Sequence, residues 1–332
     1  MWILATPLFL ILALYLFGII YFDGPLGGPA SKGNLILGLG WFGVSLFALL
    51  KVTGRKKKII TALVAVAVVL APWIPIQPSN NRDWKPEFGK TGWVDIDGDR
   101  LTFHNFRNFD YDAEGRETVN WESRIHHLGK LEGIDYFHDA WGGDLLAHPI
   151  LSFDFGDEGH VCLSIETRRE KSETFSSFGG LYKMFELQYI FGSEEDLIRV
   201  RTNVRNEPVY LYRLRATKDQ AIEILFESIG VQNQMREKPR WYNVLTSNCT
   251  TSLRAQRPAE QREKFDIRML INGKLDEYVH EKGGLVDEGM NFADLRPLCL
   301  INEAARSRPE AEGYSKRIRM GRPGFSLSED TR

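Results

Sequence analysis

The sequence has almost no net charge and few cysteines. Its 332 residues carry 42 Lys and Arg against 44 Asp and Glu, a formal net charge of −2, with three cysteines and 43% hydrophobic residues. A disordered chain would be poorer in apolar residues and richer in net charge. A carrier built mostly of membrane spans would be far more apolar. Both classes are therefore excluded.

The charge is unevenly distributed along the chain. Residues 1–77 contain six basic groups and one acidic group, whereas the remainder holds 36 basic and 43 acidic residues. A nucleic-acid-binding domain would carry a basic patch or stripe. We therefore expect no nucleic-acid partner.

Metal-binding motifs are also missing from the sequence. There is no HExxH and no CxxC, and His126, His127 and His138 lack the spacing of metal ligands. We expect no metal and no other cofactor.

Three apolar runs stand out near the start, from Trp2 to Phe22, Leu35 to Leu50 and Ile59 to Ile76. A membrane span needs roughly 20 apolar residues. We predict three transmembrane helices within residues 1–77, a polar linker over 78–91 and an outer domain over 92–332. The competing interpretation of the first run, a cleaved signal peptide, is disfavoured because a basic n-region is missing.

The basic group Arg55–Lys58 separates the second run from the third. The positive-inside rule places this loop in the cytoplasm. The expected topology is a multi-pass protein of the bacterial inner membrane with a cytoplasmic N-terminus. The outer domain is then periplasmic.

Two β segments, 147–155 and 160–167, predict a hairpin across the turn 156–159. Each has one strongly apolar face, and the register must align those faces. Paired residue numbers then sum to 314. This register puts His148 opposite Glu166, close enough for the carboxylate to orient the imidazole. A slip of two residues would offer Arg168 or Ser164 instead.

Other segments predict a mixed α+β domain with an antiparallel sheet. An Asp-Gly pair in 92–103 is typical of a hairpin. Further strands are expected over 197–202 and 208–214. The segment 218–232 has helical periodicity, with Thr217 as its N-cap.

Cys249 lies in the sequence Ser-Asn-Cys-Thr-Thr, where Ser and Asn favour the start of a helix. A cysteine in the first helical turn meets unsatisfied N–H groups, which lower its pKa and can stabilise an oxyanion. We predict Cys249 as nucleophile, His148 as base and Glu166 as the residue that orients the base. The supporting or oxyanion residues are predicted to be Asn248, Thr250, Arg168 and Tyr242. The bland alternative is a small buried hydrophobe.

Cys162 and Cys299 look structural, or pair with each other. The odd cysteine count leaves at least one thiol that is unpaired or pairs between chains in the oxidising compartment expected for a periplasmic domain.

Several motifs resemble one bacterial family. They are SIETRREK (164–171), GGLYKMFELQYIF (179–191), RTNVR (201–205), VYLYRL (209–214) and NCTT (248–251). In this order they are similar to the periplasmic domain of the Lnb lipoprotein N-acyltransferases and their relatives, over about residues 90–325. The resemblance implies a circularly permuted papain-like fold in which the histidine strand precedes the cysteine helix.

The resemblance also implies a reaction. Cys249 would take an acyl chain from a phospholipid as a thioester and pass it to the α-amino group of a diacylated lipoprotein. His148 matches the family's histidine, and Glu166 matches the acidic residue of its S-I-E-x-R motif. Two alternatives stay open: a papain-like cysteine hydrolase of the cell envelope, and a non-enzymatic envelope binding protein.

Overall fold

The computed structural model describes residues 2–112, 114–248, 250, 266–308 and 311–325, with side chains from Leu10 onward. Cys249 lies outside the described residues. The chain forms two compact units: residues 1–85, 167–187 and 239–244 make the first, and 86–166, 188–238 and 245–332 make the second. The predicted division into an anchor (1–77), a linker (78–91) and an outer domain (92–332) stays a prediction.

The first unit contains three helices at the three apolar runs: α1 Trp2–Asp23, α2 Lys32–Lys51 and α3 Arg55–Trp73. At Gly38 of α2 an added Cβ would lie 2.8 Å from the Phe17 ring of α1. The two helices therefore approach closely because glycine leaves room, as is common between membrane helices.

Of the three predicted spans, length and composition support one, and the other two stay predictions. Within the described residues, Lys32–Lys51 is the one helix long and apolar enough to cross a membrane. The described side chains of α1 cover a shorter apolar stretch, Leu10–Asp23. Helix α3 begins with four consecutive basic residues, Arg55–Lys58, which shorten its uncharged part.

The second unit is built around a sheet of eight strands in the order β1-β2-β9-β8-β7-β6-β10, with β5 paired to β2 on the side. Strands β3 and β4 form a separate ribbon. The strands are β1 Trp93–Asp97, β2 Arg100–Arg107, β3 Asp110–Tyr111, β4 Glu117–Thr118, β5 Trp121–His127, β6 Gly133–Gly142, β7 Leu146–Asp154, β8 His160–Arg168, β9 Glu186–Gly192 and β10 Val209–Arg213.

The α+β class is confirmed, but the prediction of a purely antiparallel sheet is wrong. Strand β9 runs parallel to β2, where Arg107 pairs with Gly192. Alternation within a strand specifies its two faces and not the direction of its neighbour, so this pair was not visible in the sequence.

The β7–β8 register is the predicted one. Leu151 pairs with Leu163 and Phe153 with Val161, so paired numbers sum to 314. The turn Gly156–Glu158 and Gly159 joins the strands, with Gly156 and Gly159 at positive φ. Glycine permits this backbone at no steric cost, which fixes the length of the turn and hence the register.

The predicted strand over 197–202 is wrong, since this segment is helical. Helix α4 spans Glu194–Leu197, and a π-helical turn follows over Val200–Val204. The Ser193 hydroxyl accepts a hydrogen bond from the N–H of Asp196, and three acidic residues occupy the first turn. Capping and the helix dipole outweigh the β propensity of the valines and isoleucine.

Helix α5 spans Lys218–Glu237 and begins at the predicted N-cap, where Thr217 and Gln220 form a capping box. Its Ala221, Leu225 and Ile229 are buried. The remaining helices are α6 Leu275–Glu281, α7 Phe292–Cys299, α8 Asn302–Arg306 and α9 Tyr314–Arg319.

Cys162 and Cys299 are buried free thiols and do not pair with each other. Burial raises the pKa of Cys162 far above its usual value and that of Cys299 to about 12. Such thiols are inert as nucleophiles, so a structural role fits both.

Candidate active site

The polar face of the β7–β8 hairpin carries a cluster of three side chains. His148 Nε2 lies 2.8 Å from the Ser164 hydroxyl and 3.3 Å from Glu166 Oε1. The Ser164 hydroxyl donates to the same Glu166 oxygen at 2.7 Å. The side chains of His148 and Glu166 are 13% and 17% exposed, so the cluster is close to the surface without being open. The predicted proximity of His148 and Glu166 is therefore found.

These contacts assign the imidazole proton. An ionised carboxylate can only accept hydrogen bonds, so the Ser164 hydroxyl donates its one proton to Glu166. The serine oxygen must then accept from Nε2–H of His148. In the neutral imidazole this leaves Nδ1 as the nitrogen with a lone pair. A neutral His148 is thus held with Nδ1 as its basic nitrogen.

Arg201 holds Glu166 in its ionised form. Its Nη2 lies 2.9 Å from Glu166 Oε1, and its Nε lies 3.0 Å from Asp139 Oδ2. Burial alone would raise the pKa of Glu166. The His148 and Arg201 charges and the hydrogen bonds from His148 and Ser164 outweigh it and hold that pKa well below its usual range.

The backbone of Arg201 lies in the π-helical turn, closed by a 2.9 Å bond from Arg205 N–H to the Val200 carbonyl. Short π-helical turns are rare in proteins, and a large share of those that do occur lie at functional sites. Here the turn aims one guanidinium at two carboxylates, Glu166 on β8 and Asp139 on β6.

A second carboxylate lies behind this layer. Burial, followed by the charge of Asp139 and a hydrogen bond to it, raises the pKa of Glu207 to about 7. Glu207 therefore titrates near neutrality within the ion-pair network of the site.

The segment around Cys249 is tied to the histidine strand. Asn248 and Thr250 are both buried, and Thr250 is helical. The amide of Asn272 donates to the Thr250 hydroxyl at 3.2 Å, and its oxygen accepts from the backbone N–H of Ala147 at 2.8 Å. The residue after Cys249 is thus linked through one side chain to the residue before His148.

Arg168 and Tyr242 lie in the first unit. Arg168 donates to the Asn80 side chain at 2.8 Å, and its guanidinium lies 4.2 Å from the centre of the Trp84 ring. The Tyr242 N–H donates to the Phe185 carbonyl at 2.9 Å. The supporting roles predicted for these two residues, like those of Asn248 and Thr250, stay predictions.

One group among the described residues has the geometry of a metal site. Ligand atoms of Asp135, His160 and Glu194 lie within 4.8 Å of one another. Arg319 bonds both carboxylates of this group, at 2.7 Å to each, and Arg213 Nε lies 2.8 Å from Asp135. Because two guanidinium groups already neutralise the two carboxylates, we interpret the group as an internal ion-pair cluster.

Sequence reasoning missed the roles of Arg201, Asp139 and Asn272 and weighed Ser164 only as an alternative partner. The contact between Ser164 and Glu166 could have been predicted, because residues two apart in a strand lie on the same face. Arg201 belongs to the RTNVR motif, but its direction depends on the π-helical turn. Asn272 is remote in sequence from both residues it joins.

The second unit is thus an α+β domain in which a histidine contacts a hydroxyl that is hydrogen-bonded to an ionised carboxylate. Such a cluster is compatible with an enzyme. Residues 117–273 match the family model described as the Lnb N-terminal periplasmic domain. This match confirms the predicted resemblance over these residues.

The match contains Cys249, His148 and Glu166, and it is narrower than the predicted range of residues 90–325. No curated protein and no solved structure matches the chain. Together with the apolar helix Lys32–Lys51, the periplasmic domain is that of a membrane-anchored envelope protein.

Proposed function

We propose that the protein is a thiol acyltransferase of the bacterial inner membrane. It moves an acyl chain from a phospholipid, through a Cys249 thioester, to the amino terminus of a diacylated lipoprotein. The observation that carries the proposal is the link from Thr250 through Asn272 to Ala147. Cys249 directly precedes Thr250, and His148 directly follows Ala147. The link therefore supports an encounter between the Cys249 thiol and the His148 imidazole.

In the first half-reaction, Nδ1 of His148 takes the proton of the Cys249 thiol. The thiolate attacks the ester carbonyl of the phospholipid, and an S–C bond forms. The C–O bond of the ester then breaks, and the lysophospholipid leaves as an alcohol with the proton that His148 returns. Glu166 stabilises the imidazolium through Ser164, and Arg201 keeps Glu166 ionised.

In the second half-reaction, the neutral α-amine attacks the thioester carbonyl. An N–C bond forms and the S–C bond breaks, and His148 takes a proton from the nitrogen and passes it to the departing thiolate, which restores the thiol. Thr250 is helical, and the proposal assigns the oxyanion of both steps to backbone N–H groups next to Cys249.

The proposed domain is circularly permuted and papain-like, with β7 preceding the cysteine helix. The proposed anchor comprises all three helices, with Arg55–Lys58 on the cytoplasmic side. Although α1 and α3 do not pass as single spans, they pack with α2 around glycine and apolar contacts. Tethering to the bilayer raises the effective concentration of the lipid substrate at the site.

A product assay tests the proposal. The reconstituted protein is incubated with phospholipid and a diacylglyceryl-cysteine peptide, and the lipids are separated by mass. We expect lysophospholipid and N-acylated peptide, and neither product from Cys249→Ala or His148→Ala protein that folds normally. Lysophospholipid with free fatty acid and no acylated peptide would instead identify a hydrolase. No product from the wild type would overturn the proposal.

A further inference from the structure

Within the first unit, the turn Phe178–Tyr182 lies against the apolar helices. The Tyr182 ring stacks 5.2 Å from Tyr15 and 5.1 Å from Phe22, both on α1. An added Cβ at Gly18, midway between these two, would lie 1.9 Å from the Tyr182 hydroxyl. The helix therefore has a glycine where the phenol reaches its backbone.

The depth of this contact follows from helix geometry. Tyr15 precedes the end of α1 at Asp23 by eight residues, which corresponds to about 12 Å along the axis. Tyr182 thus lies beside the last two turns of α1 and not beyond its end. Tyr182 belongs to the same buried apolar cluster as Leu16, Ile19, Ile20 and Val69, and Leu181 packs against this cluster.

Lys183, the next residue, is held at the ends of the helices. Its ammonium donates to the carbonyls of Trp73, Ile74 and Ile76 at 2.8 to 3.0 Å. Its backbone N–H donates to the Asp23 carboxylate at 2.9 Å. A helix C-terminus leaves such carbonyls without partners, so the lysine satisfies them and fixes the turn at this level.

Phe178, at the start of the turn, is exposed, whereas Tyr182 at its end is buried. Phe178 is 73% exposed, and the α1 residues Ile11 and Leu14 are 63% and 68% exposed. Exposed aromatic and aliphatic side chains on the turn and on the helix beside it are suited to lipid and not to water. Aromatic residues are typical of the membrane interface.

We propose that the turn Phe178–Tyr182 is a wedge that inserts into the outer leaflet, with Phe178 among the phospholipid acyl chains. The occupant of this surface is lipid because the turn packs through Tyr182 beside the apolar part of α1 and leaves Phe178 exposed. The proposal rests on the proposed membrane anchor and is independent of the thiol chemistry.

The wedge also holds the segment that leads to the nucleophile. The Val244 N–H donates to the Gly180 carbonyl at 2.8 Å, and an added Cβ at Gly180 would lie 3.2 Å from the Tyr242 ring. Val244 precedes Cys249 by five residues in the chain. A lipid-embedded turn and the start of the cysteine segment are therefore one packed element of the first unit.

Fluorescence quenching by lipid tests the wedge. The full chain carries Cys249→Ala, so the remaining thiols, Cys162 and Cys299, are buried and take no label. Phe178→Cys is labelled with an environment-sensitive dye and reconstituted into phosphatidylcholine vesicles with spin-labelled acyl chains. We expect emission to fall to about half or less, as for a probe within the hydrocarbon.

Two matched labels make the result decisive. Val44→Cys, at a 70% exposed position in α2, reports the anchor, and Asp83→Cys, at a side chain that is 73% exposed, reports water. If Val44→Cys is quenched and Phe178→Cys is quenched no more than Asp83→Cys, the wedge is wrong and the anchor stands. If neither Val44→Cys nor Phe178→Cys is quenched, the proposed membrane anchor is wrong. The wedge, which depends on that anchor, is then wrong as well.

Discussion

The Ser164 hydroxyl joins His148 to Glu166, 2.8 Å from the imidazole Nε2 and 2.7 Å from the carboxylate. The carboxylate also lies 3.3 Å from Nε2 by itself. The histidine is therefore oriented by two acceptors on the same nitrogen, and its other nitrogen is the base in the proposed mechanism. Such second-layer contacts fix the tautomer on which base catalysis depends.

The first prediction concerns Ser164. Ser164→Ala removes one acceptor from Nε2 while Glu166 remains, so the tautomer is weakened and not lost. We expect kcat/KM to fall about tenfold, or about 1.4 kcal/mol in transition-state free energy. A pH–rate profile checks the mechanism, since loss of the hydroxyl changes the pKa that the rate reports. An unchanged rate and profile would show that the serine has no role in positioning.

The second prediction concerns Arg201. Arg201→Ala leaves Glu166 and Asp139 buried without their shared counter-charge. Breaking a buried ion pair on one side costs about 3–5 kcal/mol, so the free energy of unfolding should fall by that order. Arg201→Lys keeps the charge but cannot bond two carboxylates from one fork, and its loss should be intermediate. Denaturant unfolding measures both, and equal stability of all three proteins would contradict the assigned role.

The third prediction separates structure from activity at Asn272. Asn272→Ala removes the partners of Ala147 N–H and Thr250, whereas the control Asn233→Ala removes two comparable bonds to the Val94 backbone on β1. Each change should cost about 1–3 kcal/mol of stability. Acyl transfer per folded molecule should fall for Asn272→Ala and stay at the wild-type level for Asn233→Ala. Equal activities would show that the link does not serve the site.

The fourth prediction is a pH dependence of stability. The pKa of Glu207 is raised from 4.5 to about 7, so between these values the folded chain holds a proton that the unfolded chain has released. Stability from this group is present below the unfolded pKa and is lost as the pH rises through the folded one. Glu207→Gln should therefore lose less Tm than wild type between about pH 5 and about pH 8.

The control for Glu207 is Glu114→Gln, at a side chain that is 66% exposed. It should keep the wild-type slope of Tm against pH. If Glu207→Gln and wild type have the same slope, the carboxyl does not carry the raised pKa.

The β7–β8 register could be predicted because alternation fixes the faces and two glycines fix the turn. The same reasoning placed His148 opposite Glu166, and the capping residue Thr217 placed the start of α5. These features depend on neighbours in the sequence, where side-chain period and cap chemistry act directly.

The remaining features depend on contacts between distant segments. Arg201 reaches Glu166 from a π-helical turn. The hydrophobic pattern of the sequence predicted a strand in this segment instead. The parallel β2–β9 pair and the Asn272 link join segments about 85 and 125 residues apart. Local propensity carries no information on such pairings, because tertiary packing decides them.

The wedge would bring the first unit into contact with the phospholipid leaflet. If the turn Phe178–Tyr182 is embedded, the first unit presents an apolar surface to the leaflet from which a phospholipid would be taken. Gly18→Ala tests this packing separately, since its Cβ would collide with the Tyr182 hydroxyl. We expect a displaced turn, seen as greater protease access at 178–182 in the reconstituted protein, and unchanged access would contradict the fit.

The most direct test of the central claim is to trap the thioester. Full-length protein is incubated with phospholipid in the absence of an amine acceptor, and its intact mass is measured before and after hydroxylamine. We predict one acyl adduct on Cys249 that hydroxylamine removes, and none on Cys249→Ala. A folded, lipid-loaded wild-type protein that gains no such adduct would contradict the account.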